Sequence, residues 1–408
     1  MKKVFFCLLS IIFICVSAHS MTWDEALSVA AKNSKEIQSA QKQVEASEWS
    51  YRKAYSSVLP QLSGSAGMSE TTPDSTTEVS RSYSTSVSLS QTVFGGLENL
   101  YNIQSAYANL EYQKASFDST LASYYYNLRS AFIEALTAQE NVQLSRAILK
   151  QRKDNSNLIQ LRYDSGKEDK GNLMTTKADQ ANSEHDYISS RRELKLSLLK
   201  LSQLLQTDVS SVEAPKGLAE AGEPDLDKLM NETPTYIMKQ KQFESADIAN
   251  RATLSEYLPS ISLSASRRSS GDEWPPNEGS SGWNWSLSYS LFPGGSNMAD
   301  SFIKGSQLDQ AKADLDVAVK SLRYDLQNAY NGYLDAIESL EVAKVQLSAS
   351  RERAQITQAK YMNGLVTYDE WYRIENTYIQ AQKSLLSSMK SAYVAEALWN
   401  KTYGGWVK

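Results

Sequence analysis

Apolar residues recur at seven-residue steps along two long stretches. In the second half, one column runs Leu308, Leu315, Leu322, Ala329, Ala336 and Ala343, and another runs Val319, Leu326, Tyr333, Leu340, Leu347 and Ala354. Spacing of three and four between such columns predicts a coiled-coil seam. The same columns stand 198 residues earlier: Leu110, Phe117, Tyr124, Ala131 and Ala138, beside Leu121, Leu128, Ala135, Val142 and Leu149. The first column of each half shifts from large residues to Ala, which lets helices approach more closely at that end. Long helices are predicted over 97–163 and 297–360, each followed by a shorter one, 168–206 and 366–401. At about 1.5 Å per residue the first long helix reaches about 100 Å. A compact globule has no use for that length; a rod or tube does.

Between the helices the period switches to two. Tyr83, Thr85, Val87, Leu89, Gln91 and Val93 alternate with serine and threonine, and Trp283, Trp285, Leu287, Tyr289 and Leu291 alternate with Asn284, Ser286, Ser288 and Ser290. Strands are predicted over 61–69, 82–94, 260–268 and 282–292. One apolar face and one hydroxyl face over about ten residues suit a lipid-facing barrel strand. Trp283, Trp285, Tyr289 and Phe292 would supply aromatic girdles. Four strands are too few for a membrane barrel, which needs about eight, and open edges in lipid cost several kcal/mol per unpaired group. Other copies must complete it, and these considerations do not choose between two copies and three.

The chain is written twice. Leu59-Pro60-Gln61-Leu62 returns as Leu258-Pro259-Ser260-Ile261, an offset of 199. Phe94-Gly95-Gly96 returns as Phe292-Pro293-Gly294-Gly295, with the glycine pair again 199 apart. Arg162-Tyr163-Asp164-Ser165-Gly166 returns as Lys360-Tyr361-Met362-Asn363-Gly364, now 198 apart. A one-residue insertion is expected between the second and third markers. The repeats are predicted at 21–207 and 225–408, joined by a small, polar and acidic linker at 208–224. Each contains a helix, two strands, a long helix and a helix.

Proline and cysteine usage sharpen this reading. No proline lies between Pro73 and Pro215 or after Pro293, where the long helices are predicted. Residues 1–20 read as a secretory signal, with Lys2 and Lys3, an apolar run and Ala18-His19-Ser20 before Met21. Cleavage there removes Cys7 and Cys15 and leaves one His, His185, which excludes thiol chemistry and multi-His metal sites. Ile12-Phe13-Ile14 are large where small residues would precede a lipidated cysteine, so Cys15 is not expected to carry a lipid. The mature chain would carry 40 basic and 47 acidic residues, a poor balance for nucleic-acid binding. No phosphate-binding loop, dinucleotide fingerprint or nucleophile elbow is present, so no enzyme and no cofactor are expected.

The Leu-Pro-Gln-Leu lead-in to the first strand, the Phe-Gly-Gly exit, the Arg/Lys-Tyr-x-x-Gly turns and the twofold repeat together resemble the TolC-type outer-membrane efflux proteins. The resemblance covers essentially the whole mature chain. It implies a mainly α chain with a small β part: a long coiled-coil α-helical barrel joined to a transmembrane β-barrel of four strands per chain, completed by trimerisation. It also implies a periplasmic adaptor (membrane fusion) protein, an inner-membrane RND or ABC pump and outer-membrane lipid as partners. The place implied is the outer membrane of a Gram-negative bacterium. The function implied is the passive exit duct of a tripartite efflux or type I secretion system, with drugs, metal ions and proteins all open as substrates.

The same resemblance places the tip turns, with Tyr163, Gly166, Tyr361 and Gly364, where an adaptor docks. It implies a periplasmic constriction involving Tyr361, Asn172, Asp369, Glu370 and Arg373. Where the family has two acidic positions this chain has Glu370 and Arg373, three apart and spaced to pair on one helix face. Helix-ending glycines and solvated helix-end charges are the plainer readings of these residues. A trimeric coiled-coil surface adhesin or structural stalk is the alternative function, and a soluble periplasmic helical scaffold a third. Trp23, Trp371, Trp399 and Trp406 are expected to be packing residues, and His185 a surface one.

Overall fold

The computed structural model describes residues 20–72, 79–215, 217–219 and 222–406. The predicted signal up to residue 19, with both cysteines, lies outside the described residues, as do the hairpin-tip positions 73–78 and three linker positions. The chain forms α1 (Trp23–Asn33), α2 (Lys35–Ala54), β1 (Gln61–Thr71), β2 (Ser80–Gly95), α3 (Glu98–Asp164) and α4 (Lys170–Leu205). After the linker come α5 (Leu226–Glu232), α6 (Pro234–Ala252), β3 (Ser260–Gly271), β4 (Glu278–Ser288), α7 (Ser296–Met362) and α8 (Tyr368–Tyr403). A 3-10 turn leads from α2 and from α6 toward the next strand.

Several boundaries differ from the sequence expectation. The leading helix of the first half breaks at Ser34, whose extended backbone (ψ 119°) lets its hydroxyl accept the Ile37 N–H at 3.2 Å. In the second half the break is at Thr233, because Pro234 disfavours a helical residue before it and suits the first helical position. β2 begins at Ser80, earlier than position 82, because Ser80 pairs with Thr71. β4 runs from Glu278 to Ser288 rather than from 282 to 292: Ser288 pairs with Ser260, the first residue of β3, so Tyr289 and Leu291 continue the alternation with no neighbouring strand.

The offset between halves also needs correcting. α3 and α7 each span 67 residues and α4 and α8 each span 36, all displaced by 198. Ser90 pairs with Gln61, and Ser288 with Ser260, so β2 and β4 are also displaced by 198 while β1 and β3 are displaced by 199. The extra residue therefore sits at the first hairpin tip, not between the glycine pair and the tip turn. A hairpin tip tolerates an insertion, whereas a one-residue slip in a strand would turn every side chain to the other face. It follows that Leu97 (φ +74°), not Gly96, occupies the place of Gly295 (φ +87°) at the start of the long helix.

α3 packs along α2 and α4 and along α6 and α8, and α7 packs along α6 and α8. Close approach to α3 depends on small residues: Ala131, Ala135 and Ala138 are buried, with Phe132, Ile133 and Leu136 filling the same region. Trp23 closes it, edge-on to Phe132 at 5.6 Å. The linker is strapped down at this level. Met21 forms a parallel bridge with Val212, and Ala219 donates its N–H to Glu396 (2.9 Å) while its carbonyl accepts from Tyr333 (2.6 Å). Glu396 in turn pairs with buried Arg129 at 3.1 Å.

Candidate functional site

Two regions are the candidates for function, the helix tips and the four-stranded sheet. Each tip turn ends a long helix in a Schellman motif. Lys167 and Gly166 donate their N–H groups to the carbonyls of Arg162 (2.8 Å) and Tyr163 (2.9 Å), and Leu365 and Gly364 do the same to Lys360 (2.9 Å) and Tyr361 (3.0 Å). Gly166 (φ +69°) and Gly364 (φ +72°) have no atom within 4 Å of where a Cβ would stand, so the backbone angle and not crowding calls for glycine. Asp169 and Thr367 then cap α4 and α8.

The two turns bring together an aromatic cluster. Tyr361 is 2% exposed, stacks flat on Trp371 at 4.7 Å, and has the Arg162 guanidinium over its ring, 4.5 Å from the ring centre. Tyr368 meets Trp371 edge-on at 5.8 Å and stacks on Tyr372 at 5.6 Å. The Tyr361 hydroxyl donates to Oε2 of Glu168 at 2.6 Å, and the Asn172 amide donates to Oε1 of the same carboxylate at 2.8 Å. Burial, then the bond to Glu168, pushes the Tyr361 phenol well above its usual range; burial and the neighbouring Tyr372 do the same to Tyr368. Just behind, Arg152 reaches Asp179 at 3.6 Å and Asn376, and buried Glu375 accepts from Gln151 and from Asn155 at 3.3 Å.

The residues expected to form a constriction are placed less closely together. Tyr361 and Asn172 meet through Glu168, but Asp369, Glu370 and Arg373 are all exposed on α8. Among the described residues no ion pair joins Glu370 to Arg373, so the spacing that allows pairing is not used within one chain. Asp369 and Glu370 lie in the first turn of α8, where negative charge complements the helix dipole. Tyr163, the repeat of Tyr361, is 37% exposed, beside Leu161 at 69%.

The sheet is antiparallel in the order β1-β2-β3-β4, with β1 and β4 as free edges. Its two faces are chemically distinct. Ser63 and Ser88, Ser65 and Ser86, and Ser262 and Ser286 form hydroxyl pairs at 2.8 Å on one face. Leu62, Val87, Leu89, Leu263, Trp283, Trp285 and Leu287 stand exposed on the other, with no described element covering them. No described helix is long and apolar enough to cross a membrane.

The sequence profile of the outer membrane efflux protein family matches residues 26–207 and 237–398. The chain belongs to this family. As an outer membrane efflux protein it is a channel of the outer membrane with a long periplasmic helical part, and not an enzyme. Its fold class is a coiled-coil helical barrel joined to a transmembrane β-barrel, to which each chain gives four strands. The fold is that of solved outer-membrane channels at low identity. The open-state MtrE channel of Neisseria gonorrhoeae is 18% identical, with 94% of this chain and 89% of that one covered at a TM-score of 0.81. VceC of Vibrio cholerae is 15% identical over 93% and 95%, also at 0.81. CusC, described for transmembrane channel formation, is 15% identical over 93% and 91% at 0.83. No curated protein matches the sequence.

Sequence reasoning missed Glu168, Tyr368 and the place of Arg162 over the Tyr361 ring, whereas Trp371 is the packing residue it was expected to be, 1% exposed and stacked on Tyr361. One signal was available: Tyr361, Tyr368, Trp371 and Tyr372 are a dense aromatic group flanking a turn, with more rings than a solvated helix end requires. Glu168 had none, since it is one acidic residue in a charged turn.

Proposed function

We propose that three copies of the chain form the exit duct of a tripartite efflux or type I secretion system, passively conducting substrates received from a periplasmic adaptor and an inner-membrane RND or ABC pump. The observation that carries this is the open sheet: among the described residues its apolar face is bare, and β1 and β4 have no partner strand. Backbone groups cannot be left unpaired in lipid, so β4 of one copy must meet β1 of the next. Three copies give a closed barrel of twelve strands, an even number within the range of bacterial barrels. Helices of 67 residues, about 100 Å long, extend the duct into the periplasm.

The helix tips would be its inner gate. Tyr361, held by Glu168 and flanked by Asn172, ties the first turn to the second, while exposed Asp369, Glu370 and Arg373 supply the charges of the constriction. Tyr163, Gly166, Tyr361 and Gly364 shape the surface that meets the adaptor, and the exposed Leu161 and Leu365 (73%) give it apolar contacts.

Planar-bilayer recording of the purified protein tests the duct, with cross-linking between β4 and β1 to count copies. Ion conductance with cross-links ending at three copies is expected. No conductance would favour the adhesin or stalk reading, and release from membranes by carbonate alone would favour a soluble scaffold. For the constriction, cation block that is unchanged in Glu370→Ala would remove that residue from the gate.

A further inference from the structure

The adjacent arginines Arg267 and Arg268 point to opposite sides of the sheet. Arg267 pairs with Val87, which itself faces Gly64, so it stands on the apolar face. Arg268 pairs with Ser86 on one side and Ser280 on the other, and Ser86 shares a 2.8 Å hydroxyl pair with Ser65. Arg268 is therefore on the hydroxyl face, which becomes the lumen wall once the apolar face meets lipid. The strand residues on that wall are nearly all serine, with glycine, threonine, Gln61 and Asn284 between them. The charged ones are Arg268 and Glu278, and Glu278 pairs with Ser270 one step nearer the hairpin tip. Among the described residues Arg268 is exposed and takes part in no ion pair.

We infer that Arg268 forms a cationic collar inside the outer mouth of the barrel and that this collar binds multiply charged anions. The inference rests on the reading of the chain as a three-copy channel. Three copies place three guanidiniums around one axis, at the level of the Ser65–Ser86 pair. A guanidinium stays charged at any working pH and presents a planar fork of donors to phosphate or carboxylate oxygens. Its neighbours on the wall are hydroxyls, which add donors and bring no competing negative charge in the same row. Rings of arginine or lysine are how pores favour anions, and the low-dielectric wall of a barrel concentrates their field. The collar lies at the opposite end of the molecule from the tip turns, so charge selection at the outer mouth is separate from any gate at the tips.

Sodium tripolyphosphate is a suitable probe, added on the hairpin side of reconstituted channels in planar bilayers. The wild-type current should fall with probe concentration, and added salt should weaken the block by screening. Arg268→Ser, which installs the commonest residue of that wall, should raise the half-blocking concentration by about tenfold or more. Arg268→Lys should retain part of the block, and Arg267→Ser, on the lipid side, should retain all of it. Equal block in the wild type and Arg268→Ser, or equal loss in Arg267→Ser, overturns the inference. A wild-type protein that gives no current at all overturns the channel reading itself.

Discussion

Tyr361 donates its phenolic hydrogen to Glu168 across 2.6 Å, joining the end of α7 to the turn that precedes α4. The two residues are 193 positions apart, and their bond directly links side chains of the two tip turns. Tyr361→Phe keeps the stack on Trp371 and removes the bond. A hydrogen bond to a charged group contributes about 1.5–3 kcal/mol, and thermal unfolding should show a loss of that order. Trp371→Ala, which empties the buried stack, should cost more, about 3–5 kcal/mol. Single-channel recording should find the Tyr361→Phe channel open more often if the bond helps hold the tip shut.

The same phenols make the tip sensitive to alkali. Tyr361 and Tyr368 titrate above their ordinary value of 10.0 in the folded chain, chiefly because they are buried. The unfolded chain therefore gives up these protons first. The stability they contribute is intact below pH 10.0 and is lost as pH rises toward the folded values. Melting temperature should fall above about pH 10, and fall less steeply in the Tyr361→Phe, Tyr368→Phe double variant.

Gly166→Ala and Gly364→Ala should each destabilise by about 1–2 kcal/mol, although no atom stands near the added methyl group. The cost is the left-handed backbone. Asparagine tolerates that conformation better, so Gly→Asn at either site should recover part of the loss in thermal denaturation. If Ala and Asn variants melt alike, backbone strain is not the cause.

The buried Arg129–Glu396 pair also pins the linker, since Glu396 accepts the Ala219 N–H. Glu396→Ala leaves a guanidinium 4% exposed without its partner and should cost about 3–5 kcal/mol. Adding Arg129→Met should restore part of it. Hydrogen exchange at Ala219 should speed up in Glu396→Ala and stay fast in the double variant, because the acceptor is gone in both.

Periodicity made the long helices and both faces of the sheet legible, because burial of one stripe or one face dictates residue type at fixed steps. Leu322, Leu326, Ala329 and Tyr333 were legible as one seam and are buried together. Interruptions were harder to see. Ser34 breaks a helix with a single hydroxyl, and Leu97 takes a left-handed conformation that its side chain does not announce. Matching glycine to glycine aligned the halves wrongly by one residue for that reason. At the tips, Tyr361 was found through its turn motif, but its partner Glu168 depends on two turns meeting across the fold. No local pattern encodes that meeting.

The serine alternation has a consequence for how such a chain reaches its place. A segment headed for a distant membrane must first pass another one without being held there, and a continuous apolar stretch would be held. In β2 and β4 a hydroxyl or other small polar residue follows almost every apolar one, so the unfolded segment is never greasy along its length. Its affinity for lipid is created only when the backbone extends and sorts the two kinds of side chain to opposite sides. The strands thus travel as polar peptide and turn into membrane protein on arrival.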